Sequence, residues 1–541
     1  MLKRLYTWQK QSDLRIVAIL AGIFFTLTLI LALNRHYSFY STNDHGLFNQ
    51  LFWNSIHGRL FQSSLSSGNS SASLIDGQPP SVSYYHLGQH FVPDFLLWMP
   101  IYALFPSATT LVVLQVALIA AGGLVLYALA RHYLSPILSI AIAASYYGAN
   151  AVIGPTVDNF YEQCQLPLFV FGLLLALEKR LWWLFWLLVV LTLGIREDTG
   201  IILFGIGVYL VLSRRYPRVG IALCTISFSY VVVVTNLIVP LFSNDNSRLY
   251  LGKYFSKFVK SENPTTLEVL WAIATQPGVI IEVVLTRFDQ RVRYLLGQWL
   301  PLAFVPVISF PAWAIAAFPL LVLLVQNNVD AVSINTRYTL SVVPGLFYGA
   351  ILWWHSNSEK FKPRFRRFWI GCIALSLFFT FTSNPHKSLY FLVPYSIKPW
   401  NYVSLNHQWE HAAHLRTVMK SIPDDASVAT GGYVIPHLSS RREIVRLPFI
   451  QLQNDEGKIV DVDYALVDMW QLQQSKLAAG VDWRKIKASV PIIDQALEQE
   501  KYGIIDLQDG VMLLKKGVPS NSQAKSAWLK LREELRPIWQ A

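Results

Sequence analysis

Stretch after stretch of this 541-residue chain is apolar for long enough to cross a bilayer, and no other feature constrains the fold as strongly. A helix needs about 20 mostly apolar residues to span the hydrocarbon. Runs near that length occur at residues 16–33, 109–130, 136–153, 163–178, 181–195, 199–213, 219–242, 293–309, 311–326, 337–355 and 368–383. They predict about eleven crossings. Backbone polar groups in lipid must be satisfied within the segment, so these runs are expected as helices. Residues 91–105 are also apolar but contain Pro93, Asp94 and Pro100, which favours an interfacial or re-entrant helix. Composition agrees with a membrane protein: 53% of residues are hydrophobic and only 14% charged. The first run follows Lys3, Arg4, Lys10 and Arg15 and has no small-x-small cleavage site, so it reads as an uncleaved anchor.

The net charge of +12 comes from basic residues grouped between apolar runs, which points to lipid headgroups and topology and away from nucleic acid. With the N-terminus inside, the inner connections carry Arg131, Lys179, Arg180, Arg214, Arg215, Arg218 and the stretch EKFKPRFRR at 359–367. The outer connections carry Asp44, Asp76, Asp94, Asp158, Glu162 and the REDTG stretch at 196–200. Cys164, Cys224 and Cys372 lie in apolar runs without metal or disulfide spacing.

Polarity becomes ordinary after residue 383. Strands are predicted at 427–430, 443–447, 463–469, 502–507 and 511–516, and a helix at 407–422. The expected organisation is a multi-pass transmembrane domain over 1–383, with a first outer loop at 34–108 holding interfacial helices, and a soluble extracytoplasmic α/β domain over 384–541. The Ser-rich stretch at 63–73 is expected as a flexible loop. The VDVD stretch at 460–463 reads as a surface turn, and TGGY at 430–433 lacks the remainder of any phosphate-loop pattern.

Chemistry is expected where ionisable groups gather at the membrane margin, because they are costly there unless they pair or serve a site. Thr42 or Asn43 can cap a helix whose apolar residues recur at helical spacing, predicting an interfacial helix with Asp44 in its first turn. His86, His90, Asp158, Glu162, Arg196, Glu197 and Asp198 reach the same predicted face. Taken singly, each reads more readily as structural, with Arg196 neutralising Glu197 or Asp198. Taken together they suggest a polar cleft for a lipid-borne substrate. Asp44 is the candidate base, His90 and Arg196 are candidate phosphate partners, and His86 is a weaker one. No cofactor is specified, although the carboxylates and two histidines leave a divalent metal open.

The stretches TNDHGLFNQLFWNSIHGR, LGQHFVPDFLLWMPIYALFPS, REDTG and IPDDASVATGGYVIPHLSSRREI together resemble a family of bacterial and archaeal predicted membrane proteins of unknown function, over roughly residues 35–515. That family's layout is similar to multi-pass glycosyltransferases of the GT-C type, which take sugars from polyprenyl-phosphate donors outside the cytoplasm. The resemblance implies that Asp44 stands at the catalytic acidic position, and that Asp158 and Glu162 stand near a second acidic motif. It departs from the pattern where Asp44 is followed by His45, since the GT-C loop often carries a paired acidic motif. The implied partners are a lipid-linked sugar donor, membrane lipids and an unidentified acceptor, in the plasma or inner membrane. Two rival readings are a transporter or flippase, which would place charges at mid-span, and a non-catalytic scaffold or sensor.

Overall fold

The computed structural model describes residues 2–243, 251–261, 264–328, 330–382, 404–472 and 483–540. Backbone contacts divide the chain into two units: Met1–Ala32 with Leu87–Trp98 and Val112–His386, and Leu33–His86 with Met99–Leu111 and Lys387–Ala541. The division is therefore not a linear cut at residue 383.

Length and composition mark three helices as able to cross a bilayer, Asp13–Tyr37, Ala108–Tyr133 and Pro217–Leu241. Two bent pairs raise that number to five among the described residues: Pro136–Tyr147 with Asn150–Val157, bent by 43°, and Thr266–Thr275 with Pro277–Thr286, bent by 90°. Several other expected crossings are shorter than a straight span, among them Trp182–Ile195, Gly200–Leu212 and Phe310–Val325. The continuous apolar runs conceal these breaks. The run at 163–178, for example, opens with a 3-10 turn at Glu162–Gln165 before the helix Leu166–Glu178 begins. At the 43° bend, the Ser376 hydroxyl donates to Gly148 O at 2.9 Å and accepts from Asn150 N at 3.4 Å, replacing two interrupted helical bonds. Phe95–Leu104 contains Pro100 and has only ten residues, as suits a non-spanning segment. Arg215 grips Glu178 with both terminal nitrogens, at 2.9 and 2.7 Å, at the ends of two apolar helices.

The second unit holds all five predicted strands in one sheet. We label its strands β1 (Val428–Thr430), β2 (Ile444–Arg446), β3 (Gln451–Gln453), β4 (Ile459–Asp461), β5 (Tyr464–Asp468), β6 (Tyr502–Gln508) and β7 (Val511–Lys516). The sheet order is β2-β1-β5-β7-β6, with β1 parallel to β2 and β5, and β7 antiparallel to β5 and β6. β3 and β4 form a separate hairpin. Between β6 and β7, Asp509 and Gly510 have φ of 51° and 72°, the left-handed pair that a two-residue hairpin requires. Met512, Ile504 and Val467 meet Ile486, Val490 and Trp528, from the helices Trp483–Glu498 and Ser522–Trp539, in one apolar core.

Two expectations for this unit are corrected. The Ser-rich stretch is ordered: it forms the short helices Ser64–Ser67 and Ser71–Leu74, and most of its serines are buried. Ser63 donates to Gln50 Oε1 at 2.7 Å and Ser64 to Ile444 O at 2.6 Å, so the hydroxyls find acceptors inside the unit. The helix Asn43–Ile56 is buried on its polar side as well as its apolar one. Gln50 Nε2 donates to Arg441 O and Arg442 O at 3.2 and 3.1 Å, and Asn49 Nδ2 donates to Ser439 Oγ at 2.9 Å. It is thus a core element of this unit and not a helix lying on a lipid surface. VDVD is also structural, because Asp463 Oδ2 accepts from the amide and hydroxyl of Ser427 at 2.9 and 2.7 Å.

Candidate functional site

In the first unit, the loop between Trp182–Ile195 and Gly200–Leu212 gathers most of the residues singled out above. Arg196 is extended there, and its guanidinium is already matched to carboxylates. Nε donates to Asp198 Oδ1 at 2.8 Å, Nη2 bonds Asp198 Oδ2, and Nη1 donates to Glu162 Oε1 at 3.2 Å. A phosphate at Arg196 would therefore compete with two carboxylates. Glu162 is 1% exposed, and its second oxygen has no partner among the described residues.

Glu197 turns the other way. Its Oε1 is 2.8 Å from His90 Nδ1 and its Oε2 accepts from Phe91 N at 2.9 Å, which ties residues 90–91 to the loop. Burial pushes the Glu197 carboxyl up, but His90 and Arg196 outweigh it and hold the group below its ordinary value. Arg196 likewise holds the Asp198 carboxyl below its ordinary value.

Asp94, which the sequence places only among the outer connections, stands out in the structure. Its amide donates to Gly194 O at 3.1 Å, and its carboxyl packs so closely that a Cβ at position 194 would lie 2.4 Å from Asp94 Oδ1. Oδ2 is buried without a partner among the described residues. Burial raises the carboxyl from 3.8 to about 7. Because the folded value exceeds the unfolded one, the folded protein binds more protons between those pH values, and stability falls as pH rises through the window. Asp94→Asn should abolish that slope, with the stability gap between variant and native protein changing by roughly 4 kcal/mol between pH 4 and 8. Thermal unfolding of the two proteins in detergent across that range checks this, and parallel curves would refute it.

The other predicted residues are distributed as follows. Asp158 ends the helix Asn150–Val157 and is half-buried, and its carbonyl accepts from Gln115 Nε2 at 3.3 Å. Gln115 also receives Tyr161 N at 3.1 Å and so pins the bend that carries Glu162. Asp44 and His86 belong to the second unit. Asp44 is half-buried in the first turn of its helix, where the helix dipole favours a carboxylate. His86 is 2% exposed and bonds Ser66 Oγ through Nδ1 at 2.9 Å, a structural contact. Near Asp44, His45 is fully buried with Nε2 3.1 Å from Ala108 O, and burial keeps this histidine neutral. Among the described residues no group of three or more His, Cys, Asp or Glu side chains is arranged to hold a metal ion.

Sequence reasoning missed Arg291. It is 4% exposed, donates from Nε to Leu324 O at 2.9 Å, and leaves Nη1 unpartnered among the described residues. Its signal in the sequence was only an arginine one turn from Arg287, with Asp289 committed instead to Arg293 at 2.7 Å. A buried cation with no carboxylate partner among the described residues is costly.

Apolar helices long enough to span, with polar residues collected at their connections and an α/β sheet in a second unit, define an integral membrane protein. The chain belongs to the predicted membrane protein family DUF2079, whose model matches residues 35–513. A search of curated proteins finds no match.

Proposed function

We propose that the protein is a membrane glycosyltransferase with a GT-C-like layout of about eleven crossings, transferring a sugar from a polyprenyl-phosphate donor at the extracytoplasmic face. In this reading the N-terminus is cytoplasmic and the α/β unit lies outside the plasma or inner membrane. The observation that carries it is Asp94: a buried carboxyl with one oxygen unpartnered among the described residues, held at about 7, where a general base works near neutral pH. An acceptor hydroxyl attacks the anomeric carbon and gives its proton to the carboxylate. The bond from that carbon to the lipid phosphate breaks, and the phosphate leaves with the electron pair.

Glu162, Glu197 and Asp198 are suited to accept hydrogen bonds from sugar hydroxyls. Arg196 then holds those carboxylates in place. His90, oriented by Glu197, is what supports recognition of the leaving phosphate. The resemblance to GT-C enzymes gives the base role to Asp44, while the burial and the unpartnered oxygen favour Asp94.

A deletion strain complemented with native protein, Asp94→Asn or Asp44→Asn at matched membrane levels tests both the function and the assignment. Mass spectrometry of lipid-linked and surface glycans should show one product restored by native protein and lost with Asp94→Asn, while the polyprenyl-phosphate sugar accumulates. Loss with Asp44→Asn alone would move the base to Asp44. An unchanged glycan profile on deletion would reject the transferase reading.

A further inference from the structure

The sheet of the second unit has a topological feature that the membrane chemistry does not use. In the order β2-β1-β5-β7-β6, the chain leaves β1 toward β2 on one side. From β5 it continues through Trp483–Glu498 to β6, on the other side. Adjacent parallel strands whose connections diverge leave a crevice outside their carboxyl ends, and open α/β sheets bind ligands there. An open cleft lies at this position. Gly431 and Gly432, which follow β1, line it together with Arg446, the last residue of β2, Asp468, the last of β5, and Gln471 and Ser489.

We propose that this cleft binds a small hydroxylated phosphate ester, of the polyol phosphate class. Three features of the lining select that chemistry. Arg446 has no side-chain hydrogen bond or ion pair among the described residues, so its guanidinium is available to a phosphate. Gly431 presents bare backbone to open space, since a Cβ built there meets nothing within 4 Å. The TGGY stretch, unremarkable as a sequence motif, is thus placed where a close approach to a ligand needs glycine.

Asp468 supplies the third feature. Its Oδ2 is bonded by His411 Nε2 at 3.0 Å and its Oδ1 by Gln471 N at 2.8 Å, so each oxygen keeps a lone pair for a ligand hydroxyl. His411 is itself fixed from behind by Asp509, with Nδ1 2.8 Å from Oδ2. A plain anion would meet Asp468 as a repulsive neighbour, whereas an ester with hydroxyls uses both charges.

The site stands independently of the transferase reading, because its test measures binding without turnover. The full chain in detergent is titrated calorimetrically with sn-glycerol 3-phosphate, inorganic phosphate and glycerol. Glycerol 3-phosphate should bind about ten-fold or more tighter than inorganic phosphate, and glycerol should not bind. Arg446→Gln and Gly431→Val should each weaken binding about ten-fold or more. A Cβ at position 431 meets nothing within 4 Å and the backbone there is not left-handed, so Gly431→Val is expected to fold as native, which the unfolding temperature checks. Arg442→Gln, whose arginine pairs with Asp455, should leave binding intact. Absence of binding, or native affinity in both cleft variants, would overturn the proposal. Equal affinity for inorganic phosphate would overturn the polyol phosphate class.

Discussion

Arg196→Ala is expected to destabilise the membrane unit by about 3–5 kcal/mol, the usual cost of breaking a buried ion pair from one side. The substitution leaves Glu162, almost fully buried, without its guanidinium, and removes the fork that Asp198 occupies. Asp198 is 44% exposed and can recruit water, so most of the cost falls on Glu162. Neutralising that carboxylate should therefore recover much of the loss, making Arg196→Ala with Glu162→Gln more stable than Arg196→Ala alone. Unfolding of the four proteins in the mutant cycle, in detergent, reads the coupling. Additive effects would show that the pair does not hold the loop.

Gly46→Val should strongly destabilise the second unit. A Cβ at position 46 would lie 2.4 Å from Ile435 Cγ2, 2.9 Å from Pro436 N and 3.0 Å from Ile435 C. The side-chain methyl can rotate away, but the backbone atoms of residues 435–436 can retreat only by moving the short helix Ile435–Leu438. Overpacking of this kind costs about 1–3 kcal/mol for a methylene, and a branched side chain against backbone belongs at or above that range. Gly22→Ala is the natural control, since nothing lies within 4 Å of a Cβ there and alanine favours the helix. The expected result is a markedly lower unfolding temperature for Gly46→Val and a native or slightly higher one for Gly22→Ala. A native temperature for Gly46→Val would contradict the packing of the Asn43–Ile56 helix described above.

These effects follow from contacts that only part of the sequence announces. The strands of the second unit were legible because their alternating and apolar runs are bounded by turn residues, as at Asp509–Gly510. The membrane class was legible from apolar length. Hidden were the breaks at Gly148–Ala149 and at Glu162–Gln165, because the residues that satisfy the broken backbone, such as Ser376, come from distant segments. The division of the chain was hidden for the same reason. Nothing local says that residues 33–86 build the second unit, although Asn49 and Gln50 were a quiet signal as amides on an otherwise greasy helix.

The polar cluster was half legible. REDTG is visibly charged between apolar runs, and a pairing of Arg196 with Glu197 or Asp198 is expected there, of which the structure forms the one with Asp198. The special state of Asp94 does not follow from spacing. It depends on Gly194 admitting the carboxyl to a buried place, a contact across 100 residues of chain. Arg291 was obscured by its ordinary surroundings in sequence, since charge runs do not reveal which arginine is buried.

The proposed activity of the membrane unit is transfer of a sugar from a lipid phosphate. Its most direct test is to reconstitute the purified full chain in vesicles with the polyprenyl-phosphate sugars extracted from the deletion strain, and to follow release of free polyprenyl phosphate. Native protein should release it, and an Asp94→Asn variant that folds normally should do so at a rate at least about 100-fold lower. Release by Asp94→Asn at the native rate, or none by native protein with donor and membrane extract present, would contradict it.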